Sequence, residues 1–146
     1  NKIPWGLIIL VGSGICLGTA ISESGLSEQA AKLLTGIDKL KTVFVILCVA
    51  LLVTFLTEIT SNTATTVILM PILGAVSTAS GIEPTLLLIP AAISASCAFM
   101  LPVATMPNAV VYGTGEFSIK RMVKEGFALN LVGTLVVTTI CYSILF

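Results

Sequence analysis

The chain has 146 residues, of which 56% are hydrophobic and only 10% are charged, with a mean hydropathy of +1.11. Soluble domains carry about 25% charged residues, so we expect a lipid bilayer rather than water around this chain. The 7 basic and 7 acidic residues balance, so no basic patch indicates nucleic acid. The absence of histidine removes the commonest proton shuttle and transition-metal ligand.

The first predicted element is a transmembrane helix over residues 3–22, an uncharged run of the length that the hydrocarbon core requires. Glycines within it, among them Gly14 and Gly18, indicate close packing against another helix. The chain begins at Asn1 without a charged leader, so we expect neither a signal peptide nor the natural start at this residue. Residues 23–41 are predicted to form an extracellular interfacial segment.

The next two uncharged runs are each too short to span a membrane, and a polar stretch separates them. Residues 42–57 number 16, and the apolar part of the second run, 64–76, numbers 13. The stretch between them, Glu-Ile-Thr-Ser-Asn-Thr, has no periodicity. We therefore predict a re-entrant helical hairpin over residues 42–79, with its tip at 58–64, where protein or a water-filled cavity satisfies the irregular backbone.

Residues 84–115 are predicted to form a discontinuous transmembrane helix. Pro84 suits the first turn of a helix, whereas Pro102 and Pro107 each remove a donor and disfavour helix at the preceding residue. We expect residues 102–108 to be unwound. The alternative is a simple proline kink in a packed helix.

The last part of the chain divides into a basic segment and a final span. Residues 116–125 alternate apolar side chains with Lys120, Arg121 and Lys124, which predicts a cytoplasmic interfacial segment. Residues 126–146 form the last uncharged run and the last predicted transmembrane helix. The elements together predict an all-α polytopic membrane protein whose hairpin opens to the outside.

The predicted hairpin tip combines uncharged groups that can bind both a cation and an anion. Carbonyls at the end of the first arm favour a cation, and N–H groups at the start of the second arm favour an anion. Hydroxyl and amide oxygens suit a hard cation such as Na⁺, and Ser61, Asn62 and Thr63 can also donate to a carboxylate. The alternative is that Ser61 or Asn62 only caps the second arm.

Two interrupted helices in one short chain are typical of a transporter site near the middle of the membrane. The second interruption, residues 104–108, leaves carbonyls unpaired and has small side chains that allow close approach. Glu58 is the only charge between Lys41 and Glu83. An intramembrane carboxylate is a functional candidate, and for Glu58 we favour hydrogen bonding to the freed backbone of the tip over a proton relay.

The two interruptions also carry a family resemblance. Residues 57–65, Thr-Glu-Ile-Thr-Ser-Asn-Thr-Ala-Thr, and residues 98–109, Ala-Phe-Met-Leu-Pro-Val-Ala-Thr-Met-Pro-Asn-Ala, resemble the divalent anion/sodium symporter family, which includes sodium-coupled di- and tricarboxylate transporters. The resemblance covers essentially the whole chain. It implies that residues 1–146 are most of the C-terminal half of an inverted-repeat transporter, whose N-terminal repeat lies outside this sequence. It also implies a homodimer in a bacterial plasma membrane and an elevator-like movement.

The resemblance further implies which residues contact the ion and the substrate. The family's second sodium site maps, partly through backbone carbonyls, onto four residues: Thr57, Thr60, Asn62 and Ala104. The contacts to the substrate carboxylate map onto Asn62 and Thr63, with Thr105 close by. The sequence departs from the family pattern at Met106, where a second proline is common.

The expected function is sodium-coupled symport of a small dicarboxylate such as succinate, malate or fumarate, with no enzymatic activity. The near alternative is a sodium-independent dicarboxylate exchanger of the same family, in which a basic side chain replaces the ion. No basic residue occurs between Lys41 and Lys120, which favours sodium. The distant alternative is a small structural or channel-forming membrane protein, which has no need of two polar breaks.

Overall fold

The computed structural model describes residues 5–34 and 39–145, and all regular elements in those ranges are α-helices. The predicted all-α class is therefore confirmed. The helices in chain order are α1 (Trp5–Glu23), α2 (Leu26–Leu34), α3 (Lys39–Thr57), α4 (Asn62–Ser80), α5 (Thr85–Ser94), α6 (Met106–Gly113) and α7 (Ile119–Leu145).

The helix α1 packs along α4 through two glycines. A Cβ added at Gly14 would lie 2.5 Å from the carbonyl oxygen of Val67, and one at Gly18 would lie 2.3 Å from Cβ of Pro71. Only residues without a side chain allow two helix backbones to approach this closely, which is the small-residue packing of membrane helices. Gly25, with φ of +74°, then turns the chain so that α2 packs on α4 as well.

The helices α3 and α4 are joined by a turn at residues 58–61, which we call the tip turn. Each of the two helices has 19 residues, about 28 Å at 1.5 Å per residue, so both are longer than the predicted arms. The non-helical tip is shorter than the predicted 58–64, because α4 already begins at Asn62. The helix α3 packs on α5 and α7, whereas α4 packs on α1, α2 and α5.

The predicted discontinuous helix consists of two short helices with a long interruption. The helix α5 ends at Ser94 and α6 begins at Met106, and we call residues 95–105 the α5–α6 break. The expected unwound stretch, 102–108, was therefore placed too late at both ends. Pro107 lies in the first turn of α6, where the missing N–H would have no intrahelical partner, so it does not unwind the residues around it.

The helix α7 is continuous over 27 residues, about 40 Å, and includes the basic residues of the predicted interfacial segment. Residues 119–125 of the predicted interfacial segment are the first turns of α7 rather than a separate element, because nothing in this stretch breaks the helix. At about 40 Å, α7 is longer than the roughly 30 Å hydrocarbon core, so its charged first turns can lie beyond that core. Its buried face repeats every three or four residues: Met122, Gly126, Asn130, Thr134, Thr138 and Cys141.

The interior is small and partly polar, and the large apolar side chains lie outside. Val53, Ala91 and Ala95 form the buried cluster between α3 and the end of α5. In contrast, Phe44 is 63% exposed and Ile144 is 75% exposed. Within residues 5–34 and 39–145, two helices, α4 and α7, are long and apolar enough to cross a membrane by length and composition. This distribution is typical of an integral membrane protein, in which lipid or further helices cover the apolar exterior.

Candidate functional site

At the tip turn, the structure shows which of Ser61 and Asn62 caps α4, a question that the sequence left open. Ser61 is the N-cap of α4, with extended backbone at φ −78° and ψ 143°, and its side chain accepts a hydrogen bond from Ala64 N at 3.1 Å. Asn62 is the first residue inside α4, so it is not the capping residue. The capping alternative is therefore correct for Ser61, and the Asn62 side chain is free of that task.

The Asn62 side chain contacts Thr57 at the end of α3, and Thr57 in turn contacts the residue that follows α5. The Thr57 hydroxyl lies 2.7 Å from Asn62 Oδ1 and 2.8 Å from the carbonyl oxygen of Ala95. Thr57 has only one hydroxyl proton for these two acceptors. We call Thr57 Oγ1, Asn62 Oδ1 and Ala95 O the oxygen cluster. Three oxygens that share one proton form a site of excess lone pairs, and neutral oxygens of this kind suit a hard cation such as Na⁺.

Thr60 is arranged differently from Thr57. Its hydroxyl donates to the carbonyl oxygen of Leu56 at 2.9 Å and also contacts the hydroxyl of Thr65. The Thr60 side chain therefore bridges the two helices that flank the tip turn. Because the hydroxyl of Thr60 is engaged in holding the two helices together, its backbone carbonyl is the simpler candidate for contact with an ion.

Glu58 ties the tip turn to the α5–α6 break. Its side chain is only 3% exposed, and Oε1 accepts from the backbone N–H groups of Phe99 at 2.7 Å and Met100 at 2.9 Å. Oε2 accepts from the N–H of Leu101 at 3.0 Å. The carboxylate thus satisfies backbone donors that a continuous helix would have paired internally. The predicted role for Glu58 was of this kind, but the backbone that it supports belongs to the α5–α6 break.

The α5–α6 break is a shaped loop rather than a simple proline kink. The Thr105 side chain caps α6 by accepting from Asn108 N at 3.3 Å. The amide of Asn108 donates to the carbonyl oxygens of Ala98 at 2.9 Å and Leu101 at 3.1 Å. The side chains of Thr105 and Asn108 at the α6 end, together with Glu58, therefore hold the irregular backbone in one conformation, which a functional loop requires and a kink does not.

The predicted site residues are only partly brought together. Thr57 and Asn62 contact each other directly, Ala104 is 8% exposed, and Thr63 is exposed on the first turn of α4. In the described part of the chain, the hydrogen bonds between the tip turn region and the α5–α6 break run to Ala95 and to residues 99–101. Ala104 and Thr105 take no part in these bonds.

The candidate site is only partly enclosed, since Thr57 is fully buried whereas Thr63 is exposed. A cavity of about 900 Å³ lies at the α6–α7 connection and is lined by Tyr112, Phe117 and Arg121 among others. It does not include Thr57 or Asn62. A small ligand is normally surrounded on most of its surface, so the tip turn needs a further element in order to enclose one.

Two participants were not predicted from the sequence. One is the carbonyl of Ala95, which is exposed to Thr57 because α5 ends there. The other is Asn130 of α7, which is fully buried and donates from Nδ2 to Glu58 Oε1 at 2.7 Å. The available signal was the spacing of Gly126, Asn130 and Thr134, which places small and polar residues on one face of an otherwise apolar helix.

Comparison with known proteins identifies the family. Residues 1–145 match the model of the family described as the sodium:sulfate symporter transmembrane region. The chain belongs to this family. The membership confirms the resemblance carried by residues 57–65 and 98–109.

Relatives of this symporter-family chain are named as sodium-dependent dicarboxylate transporters. The chain is 46% identical over 142 residues to SdcS of Staphylococcus saprophyticus, an alignment that covers 97% of the chain and 27% of the relative. It is 42% identical over 145 residues to SdcS of Staphylococcus aureus strain MRSA252, covering 99% of the chain and 28% of the relative. The chain therefore spans about a quarter of their length and corresponds to a C-terminal part. These relatives are transporters, not enzymes.

Proposed function

We propose that the protein containing this chain is a secondary transporter that couples sodium entry to uptake of C4-dicarboxylates such as succinate, malate and fumarate. The observation that carries this proposal is the oxygen cluster, in which Thr57, Asn62 and Ala95 meet with one proton among three oxygens. The sodium-dependent dicarboxylate transporters among the relatives support the same ion and substrate class.

In this proposal, sodium lies at the oxygen cluster and at neighbouring backbone carbonyls. Thr57 and Asn62 supply side-chain oxygens, whereas Thr60 and Ala104 contribute carbonyls. None of these ligands is charged, so they hold a monovalent cation without the strong binding that a carboxylate would give. An arrangement of this kind suits a co-transported ion, which must be released in every cycle.

The substrate carboxylate lies on the other side of Asn62, next to the start of α4. Backbone N–H groups and the positive end of the helix dipole favour an anion there, and the Asn62 amide and the Thr63 hydroxyl can donate to it. Thr105, the N-cap residue of α6, contributes a further contact to the carboxylate from the α5–α6 break. Because no arginine or lysine is present between Lys41 and Lys120, the bound sodium supplies the positive field. Loss of sodium then weakens substrate binding.

Helix lengths support a site near the middle of the membrane. The 10 residues of α5 and the 8 residues of α6 measure about 15 Å and 12 Å, so the two helices with their break match a hydrocarbon core of about 30 Å. If they cross the membrane, the break is near mid-depth, and Glu58 holds the tip turn beside it. The α3–α4 hairpin is then re-entrant, with arms that tilt or reach beyond the headgroups.

The enclosure of the substrate is proposed to come from the N-terminal repeat of the same transporter. The exposed Thr63 and the open surface around the tip turn support this, because one wall of a binding site is provided and the other is not. The family resemblance adds an elevator-like movement of the site-bearing part, a homodimer and a bacterial plasma membrane.

Uptake into vesicles tests the proposal. The full-length protein reconstituted into liposomes should take up labelled succinate with an inward sodium gradient, and much more slowly when choline replaces sodium outside. Protein-free liposomes supply the background rate. Equal uptake in sodium and choline contradicts sodium coupling. Uptake that requires dicarboxylate inside the liposomes but no sodium indicates an exchanger. The absence of uptake in every buffer favours the channel-forming or structural alternative.

A further inference from the structure

Asn130 of α7 is a fully buried amide on the small and polar face of a largely apolar helix. Its Nδ2 lies 2.7 Å from Glu58 Oε1, although the two residues are 72 positions apart in the sequence. Hydrogen bonds to a charged partner are about twice as strong as those between neutral groups. A buried contact of this strength fixes the rotation of α7 relative to the tip turn.

The Glu58 carboxylate is the point at which three parts of the chain meet. It belongs to the tip turn, accepts three consecutive backbone N–H groups from the α5–α6 break, and accepts the side chain of Asn130 from α7. The three backbone donors are the N–H groups of the consecutive residues 99–101. Asn130 is the only side chain among the four donors, so it alone can be altered without changing the backbone.

Gly126 brings α7 close enough for this contact. It precedes Asn130 by about one helical turn, and a Cβ added there would lie 2.3 Å from the carbonyl oxygen of Phe99 and 2.6 Å from Cα of Met100. The backbone of α7 therefore rests directly on the α5–α6 break. Gly126 permits the close approach, and Asn130 determines how the Glu58 carboxylate is held within it.

We propose that Asn130 is a positioning residue for the sodium site, acting through Glu58 and without touching ion or substrate. Glu58 is adjacent to Thr57, whose hydroxyl belongs to the oxygen cluster, and its carboxylate holds residues 99–101, which follow Ala95 in the same loop. When the Asn130 amide is removed, the carboxylate loses one of three partners on Oε1 and can shift. The three oxygens of the oxygen cluster are then held less firmly at their present distances. The proposal rests on the sodium-coupled function given above.

The test is the replacement Asn130→Leu, which has nearly the same shape as asparagine and no polar atoms. In the full-length protein, the sodium concentration at half-maximal succinate uptake should rise about tenfold, as expected when part of one charge-assisted hydrogen bond is lost. The maximal rate at saturating sodium should change by less than about threefold, because the ligands remain present. A residue that served only folding would lower the amount of active protein and leave the half-saturating sodium unchanged.

The matched control is Thr134→Val, which removes a buried hydroxyl from the next turn of the same α7 face. The Thr134 hydroxyl contacts the backbone carbonyl of Asn130 at 2.7 Å and the hydroxyl of Thr54 at 3.4 Å, and it forms no hydrogen bond with Glu58. The half-saturating sodium concentration of the Thr134→Val variant should equal that of the unaltered protein. A tenfold rise in the control as well contradicts the proposal, since the effect would then belong to the polarity of α7 in general.

A second variant, Asn130→Ser, keeps a small polar group and serves if Asn130→Leu does not fold. Its hydroxyl is shorter than the amide and holds Glu58 more weakly, so an intermediate rise in half-saturating sodium is expected. Unaltered half-saturating sodium in every folded Asn130 variant overturns the proposal while leaving sodium-coupled uptake in place. If the unaltered protein shows no sodium dependence at all, the proposed function fails, and the inference fails with it.

Discussion

At the end of the α3–α4 hairpin, Ser61 and Asn62 are neighbours with different tasks. Either residue type is a good N-cap, and the sequence alone did not say which one capped α4. The geometry assigns the cap to Ser61 through its contact with Ala64 N, and it directs Asn62 toward Thr57. The Ser-Asn pair thus combines a helix end and a proposed ligand within two residues.

Separate substitutions of the two neighbours should have separate effects. Ser61→Ala removes the capping oxygen and should lower the free energy of unfolding by about 1 kcal/mol. Asn62→Ala leaves the cap in place and removes the proposed ligand for sodium and substrate, so succinate uptake should fall to background in protein that still folds. Thermal unfolding in detergent and uptake in liposomes measure the two effects. Full uptake by folded Asn62→Ala would show that the site is assigned wrongly.

The sequence also located Glu58 as a buried charge but not its partners. Its neighbours in sequence are the tip residues, so local reasoning assigned it to the tip. Its actual donors lie 41 to 43 positions away in the break and 72 positions away in α7. Contacts of this range depend on how the helices pack, which a local pattern does not contain.

At the scale of helices and loops, the sequence was most informative where a residue type has one well-defined effect on secondary structure. Uncharged runs located the helices, and Pro102 with Pro107 indicated a break between α5 and α6. The extent of the break was not predictable from the prolines. It begins at Ala95, because Glu58 provides partners for the N–H groups of residues 99–101 and so makes an irregular backbone stable there. The same prolines allow α6 to begin at Met106.

The close contact between α1 and α4 gives a prediction at this scale. Gly18→Ala places a Cβ 2.3 Å from Pro71 Cβ, and a rigid proline ring in a helix cannot move aside alone. The two helices must separate, which should cost about 1–3 kcal/mol. The control is Gly12→Ala on the same helix, where an added Cβ has nothing within 4 Å. Thermal unfolding of both variants in detergent measures the difference, and equal stability of the two would contradict this packing.

At the scale of the whole molecule, helices of different character meet around one irregular region. The helices α3, α5 and α7 pack on one another and bury small and polar residues, while α1 and α2 pack on α4. The tip turn and the α5–α6 break lie between these groups and are joined by Thr57 and Glu58. Composition predicted a membrane protein, and paired breaks predicted a site, but their direct contact could be found only from the folded chain.

The same scale explains why the site is open. The chain spans 27–28% of the length of the transporters that it matches, and the surface around Asn62 and Thr63 is not enclosed by the described helices. In the proposed transporter, a second repeat provides the facing wall. The proposed sodium ligands, in contrast, are largely within this chain, so sodium binding is the proposed property that these residues would determine most directly.

Sodium-dependent thermal stability of the purified full-length protein tests that central claim most directly. A cation that binds the folded state raises the unfolding temperature as its concentration increases, so sodium should stabilise the protein and potassium at equal ionic strength should not. Thr57→Val, which removes the hydroxyl of the oxygen cluster, should lose at least half of the sodium-induced rise. Thr54→Val, an equally buried change one turn earlier in α3, should keep it. The same sodium response in both variants would contradict a sodium site at Thr57 and Asn62.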